Sequence, residues 1–153
     1  MASQTSLDMH SDTHGASTKS FTRFFPIVAR VLMGLVFFVF GLNGFFNFIP
    51  PPPSMPEGAA ALGGAMMKSG YMFPLIKGTE VIVGALLLTN RFVPLALTVI
   101  APVIVNIVAF HAFLAPSGLV IPIILVVIEA YLAWTYRDLF RPILAARPVS
   151  KAT

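Results

Sequence analysis

Eight polar residues stand inside stretches that are otherwise apolar, and their types and spacing define the chemistry open to this chain. Asn43 and Asn47 fall one helical turn apart in FFVFGLNGFFN (37–47). Lys77 and Glu80 lie in PLIKGTEVIVGALLL (74–88), and Asn106 and His111 in PVIVNIVAFHAFL (102–114). Arg30 and Glu129 occupy the first and last of these apolar stretches. A charged side chain at the centre of a bilayer costs ~2.5–3.5 kcal/mol on insertion scales, so such groups turn inward, pair and mark function. Lys77 offers N–H donors to an anion or a quinone carbonyl. Glu80 can relay a proton, and His111 can give or take one. The three carboxamides supply both donors and acceptors. Lys77, Glu80 and His111 are therefore the catalytic candidates, and Asn43, Asn47 and Asn106 complete a ligand-binding set. Lys77 and Glu80, at i and i+3, are neighbours on a helix and are expected to pair. Arg30 and Glu129 are expected to form a structural ion pair that fixes helix register. Plainer roles compete with these: carboxamides that join helices, a hydrogen-bonded core histidine, and an arginine that snorkels to the surface.

The elements that must position these residues follow from the hydropathy pattern. The chain has 153 residues, 57% hydrophobic and only 10% charged, with a mean hydropathy of +0.86. Soluble domains carry about 25% charged residues, so this composition calls for a bilayer as solvent. Four apolar segments are read at 24–48, 71–89, 92–115 and 119–136. Each is near the ~20 residues needed to cross the hydrocarbon core. Pro26 is expected in the first turn of segment one, where its missing N–H is harmless, and the prolines at 50–53 end that segment. The moderately apolar EGAAALGGAMMKSG (57–70) is too short to span. It reads as an interfacial or re-entrant helix lying across the bundle mouth, or as a surface loop. Pro102 should bend segment three, Pro122 sits in the first turn of segment four, and Pro-Ser-Gly at 116–118 permits only a tight hairpin. The expected fold is an all-α membrane protein, a four-transmembrane-helix bundle with a short interfacial or re-entrant segment between helices 1 and 2.

Basic residues in short flanks set orientation. Lys19, Arg23, Arg91, Arg137, Arg141, Arg147 and Lys151 gather on one side, and Lys68 stands on the other. Both termini are thus expected in the cytoplasm, in a multi-pass protein of the inner (cytoplasmic) membrane. That topology places Asn43, Asn47, Lys77, Glu80, Asn106 and His111 toward the outer face, and Arg30 and Glu129 toward the inner face. The membrane domain is read as 23–143, between a disordered tail (1–22) and a basic tail (144–153). The first apolar run is too long for a cleaved signal, so it is expected to be retained. Asp8, His10, Asp12 and His14 alternate in the N-terminal tail, a pattern that in an extended chain could bind a metal weakly, but no built metal site is expected.

Several chemistries are set aside. The ten basic residues form no dense patch, so nucleic acid is not an expected partner. With no cysteine there is no disulfide, thiol redox chemistry or iron–sulfur cluster. One membrane histidine per chain cannot give bis-His haem ligation. P-loop, GxSxG and HExxH motifs are absent from the sequence. The polar residues are clustered rather than strung along one face, which argues against a channel.

ARVLMGLVFFVFGLNGFF (29–46), PLIKGTEVIVGALLL (74–88) and PVIVNIVAFHAFLAPSGL (102–119) together resemble the DoxX family, over roughly residues 24–142. The Asn106-x4-His111 spacing followed by Leu114-x-Pro116-x-Gly118 is the most specific part. The resemblance implies a four-helix inner-membrane protein with both termini inside, similar to the membrane subunit of a thiosulfate:quinone oxidoreductase. The family's recurrent polar positions fall on Arg30, Asn43, Lys77, Glu80, Asn106 and His111. The expected function is a quinone-linked oxidoreductase subunit or accessory, with no built-in cofactor and quinone as ligand. The alternatives are a non-catalytic scaffold in a larger complex and, less favoured, a small-anion transporter. Expected partners are the lipid bilayer and a protein partner or second copy of the chain.

Overall fold

The computed structural model describes residues 13–52 and 54–140, with side chains from Phe24 onward. Among these residues there are helices, turns and irregular segments and no strand. Helix α1 runs Thr13–Phe46, α2 Glu57–Lys68, α3 Met72–Leu88, α4 Val93–Leu114, α5 Val120–Thr135 and α6 Arg137–Phe140, with one 3-10 turn at Pro116–Gly118.

The first helix differs from its expectation at both ends. It starts at Thr13, inside the polar stretch expected to be a disordered tail, because nothing between Ala16 and Phe25 breaks a helix. Pro26 consequently lies in the helix interior rather than in its first turn. At the far end the helix stops at Phe46. Asn47 takes a left-handed conformation (φ 50°), a state that asparagine tolerates better than most residues. It is the residue that terminates the helix, not a second carboxamide on its face. Residues 1–12, with Asp8, His10 and Asp12, and residues 141–153 lie outside the described residues.

Turn chemistry ends the other helices. The corner between α2 and α3 uses Gly70 at φ 76°, which glycine adopts without penalty, and the Ser69 hydroxyl accepts from the Met72 amide at 3.0 Å. The axes of α2 and α3 meet at 92°. Helix α2 touches both α3 and α4, with Ala59 buried and Gly58 against Leu114. Helix α3 closes in a Schellman motif. Asn90, at φ 56°, donates to the Leu87 carbonyl at 3.2 Å, and Arg91 donates to the Leu86 carbonyl at 2.9 Å. Pro102 sits inside a continuous α4, and Pro122 lies in the first turn of α5 as its position suggests.

Glycine spacing sets the packing. An added Cβ at Gly34 would meet Leu87 and Leu88, one at Gly41 would meet Val81 and Glu80, and one at Gly44 would meet Lys77. As residue numbers rise on α1 they fall on α3, so the two helices are antiparallel. At Gly84 an added Cβ would lie 2.5 Å from the Phe38 amide nitrogen and 2.7 Å from its Cα, so the two backbones touch there. Helix α3 packs on α4, α4 on α5, and α5 returns to α1. The shared core holds Met33, Phe37, Val83, Leu87, Leu97, Ile100, Ile104, Leu125 and Leu132.

The outward faces are as apolar as the core. Leu32, Leu35, Phe40, Ile82, Val105, Phe113, Ile121 and Val127 are all exposed. A soluble monomer does not carry so much contiguous apolar surface, whereas lipid tails accept it. Phe24–Phe46 and Val93–Leu114 are long and apolar enough to cross a membrane, and the bent pair α2 and α3 makes a third span if it is counted as one. This is a membrane protein built of apolar helices.

Candidate functional site

Helix α3 carries an ion pair. Lys77 Nζ stands 2.8 Å from Glu80 Oε2, as the i, i+3 spacing requires. The Glu80 side chain is 5% exposed and that of Lys77 21%. Both lean on the glycines of α1. Glu80 packs at Gly41, and the Lys77 methylenes lie over Gly44. The missing side chains at 41 and 44 are what let a charged pair fit into a helix seam. Lys77 Nζ also stands 6.0 Å from the centroid of the Phe73 ring, within cation–π range. An ammonium has three N–H donors, and Glu80 takes one. The pair is thus a buried carboxylate with a half-buried cation that still has donors to offer.

The remaining members of the expected outer set bond to their own chain. Asn43 Oδ1 accepts from the Ile49 amide at 2.6 Å, capping the end of α1. Asn47 is exposed. Asn106 is exposed too, and its Nδ2 donates to the Pro102 carbonyl one turn back, at 3.1 Å. His111 Nδ1 meets the Ile107 carbonyl at 2.8 Å. A carbonyl only accepts, so Nδ1 carries the hydrogen and Nε2 is the acceptor of the neutral ring. The ring rests against Gly118 of the α4–α5 hairpin, where an added Cβ would come within 2.6 Å of Cδ2. No hydrogen bond joins Asn43, Asn106 or His111 to Lys77 or Glu80. Of the six residues expected to converge, hydrogen bonds bring together two.

The inner pair is also different from its expectation. Arg30 is buried, but its Nη1 donates to the Leu87 carbonyl and not to Glu129. Leu87 lies in the last turn of α3, where the helix end is partially negative, and its carbonyl accepts from Arg30 as well as from the Asn90 amide. The arginine therefore caps α3. Arg30 Nε and Glu129 Oε2 are both buried and without a hydrogen-bond partner.

Two features of this arrangement were missed by sequence reasoning. The Leu87 carbonyl as partner of Arg30 was open to inference, since Thr89-Asn90-Arg91 marks where α3 ends and so which carbonyls form its partially negative end. The seat of His111 on Gly118 had only the glycine of Pro-Ser-Gly as a signal. Among the described residues no three His, Asp or Glu side chains gather as a metal site. Comparison with family models, curated proteins and solved structures gave no match.

Proposed function

We propose that α1, α3, α4 and α5 each cross the inner membrane, with both termini in the cytoplasm and α2 at the outer interface. We infer further that the protein is a DoxX-like, quinone-linked oxidoreductase subunit or accessory. The observation that carries this reading is the Lys77–Glu80 pair, set on Gly41 and Gly44 within an apolar helix seam. Here the ammonium keeps spare N–H donors and is less buried than its carboxylate, which suits a carbonyl oxygen arriving from the lipid side. Glu80 is placed to exchange a proton with a ligand held by Lys77. The basic flanks favour the orientation, and the resemblance over 24–142 favours the quinone.

The experiment is native mass spectrometry of the protein extracted in mild detergent with its lipids retained. The reading predicts a bound quinone mass that disappears in Lys77→Ala. A protein without quinone under conditions that retain phospholipid would sink it.

A second reading is favoured by a specific observation: Asn43, Asn106 and His111 are all hydrogen-bonded within their own segments. Polar groups used in this way shape helices rather than bind ligands, and the glycine seam is what a rigid assembly subunit needs. That reading predicts a protein partner whose co-purification survives loss of Lys77.

A further inference from the structure

The ligand reading leaves two buried groups unused. Arg30, nine-tenths buried, spends Nη1 on the Leu87 carbonyl and leaves Nε–H without an acceptor. Glu129, on α5, leaves Oε2 buried and without a donor. One is a cation with a spare donor and the other a carboxyl with a spare acceptor, and their helices pack together. Their heights can be compared through the Phe25–Tyr131 ring contact, with centroids 5.3 Å apart, which levels α1 with α5. Helix α1 is antiparallel to α3, α3 to α4 across a short turn, and α4 to α5 across the 3-10 turn, so α5 runs antiparallel to α1. Five residues beyond Phe25 and two residues before Tyr131, at about 1.5 Å per residue, Arg30 and Glu129 differ in height by only about 5 Å. An arginine side chain spans that.

We propose that Arg30 and Glu129 form a proton-operated switch among α1, α3 and α5. With Glu129 protonated, the guanidinium caps the last turn of α3, as in this structure. With Glu129 ionised, the guanidinium gives its Nε–H to the carboxylate, keeps Nη1 on the Leu87 carbonyl and couples α1 to α5. The proton exchanges with water at the side of the membrane where α3 ends, and no other bond is made or broken. The α3 cap and the α5 link use different N–H groups of one guanidinium, so the link between α1 and α5 alone forms and breaks. Few other groups compete. From α1 the facing cation is Arg30, and α5 itself contributes Tyr131 and, past its end, Tyr136. Helix α4, packed on α5, carries one titratable side chain, His111, in its last turn, and the 3-10 turn carries none. The inference does not depend on quinone binding.

The chain has no cysteine, so a Phe24→Cys/Trp134→Cys background places two unique labels at exposed positions on the paired ends of α1 and α5. Spin-label distances in lipid nanodiscs are then measured across pH. The expected result is two distance populations that exchange with pH and collapse to one, pH-independent, in Glu129→Gln. A pH-independent distribution in the unsubstituted background, or a shift that survives Glu129→Gln, overturns the proposal. Infrared spectroscopy gives a second test: the wild-type minus Glu129→Gln difference must contain a protonated-carboxyl band that rises and falls with pH, and a difference without such a band overturns the switch.

Discussion

The Lys77–Glu80 and Arg30–Glu129 sites place the same kinds of charge in the same apolar surroundings, yet only the first makes an ion pair. Lys77 and Glu80 belong to one helix, and their 2.8 Å contact follows from a spacing of three residues. Arg30 and Glu129 belong to two helices, and whether they meet depends on how those helices rotate. In the structure the arginine finds the end of a third helix first. A pair within a helix is fixed by covalent geometry. A pair between helices is settled by packing, and the packing here is set by glycines on the α1–α3 seam.

The sharpest way to break that comparison is at the seam. Gly84→Leu would push a side chain into the Phe38 backbone, which cannot move aside. It should cost above about 3 kcal/mol, the upper range for overpacking. Thermal unfolding in detergent should show the loss, and Arg30 should lose its α3 cap together with the seam. Gly44→Ala tests the same seam more gently, because the atoms it meets are the flexible methylenes of Lys77.

Next in size are the two halves of the outer pair, and they should be unequal. Lys77→Ala leaves Glu80, at 5% exposure, without its cation, and should destabilise by about 2–3 kcal/mol, since stranding a buried charge is the costly part of breaking a pair. Glu80→Ala frees a lysine that is already 21% exposed. That side chain can snorkel, so the loss should be about 1 kcal/mol. Equal losses measured by chemical denaturation would mean that the two charges are equally enclosed, contrary to the structure. The smallest effect is expected at Asn43→Ala, which removes the cap on the Ile49 amide. It should cost about 0.5 kcal/mol, the low end for a hydrogen bond, and appear as faster hydrogen exchange at the end of α1.

The sequence carried the helices well and the convergence of the site poorly, for reasons that lie in particular residues. Apolar runs bounded by prolines and by Asn90-Arg91 located α3, α4 and α5 to within a few residues. Gly41, Gly44 and Gly84 line the α1–α3 seam, a pairing that the sequence alone did not assign. The start of α1 was misplaced because Pro26 reads as a helix start, and a sequence does not say when a proline is carried in a helix interior. The six-residue outer cluster was inferred from depth along the membrane. Depth is one coordinate of three. Asn43, Asn106 and His111 share a level with Lys77 under the expected topology, but each turns its polar atoms to its own backbone. Asn47 was assigned to a helix face when its role is to end the helix.

The central claim is that the Lys77–Glu80 pair receives a quinone. The most direct test compares thermal unfolding of the wild-type protein and the double variant Lys77→Met/Glu80→Leu, each with and without a short-chain quinone. Replacing both members of a buried pair with apolar residues of similar size is often neutral or stabilising, so the variant should fold. The account predicts that quinone raises the melting temperature of the wild type, by an amount equivalent to about 2.7 kcal/mol at a hundredfold excess over its Kd, and leaves that of the variant unchanged. Equal stabilisation of both proteins, or of neither, would contradict it.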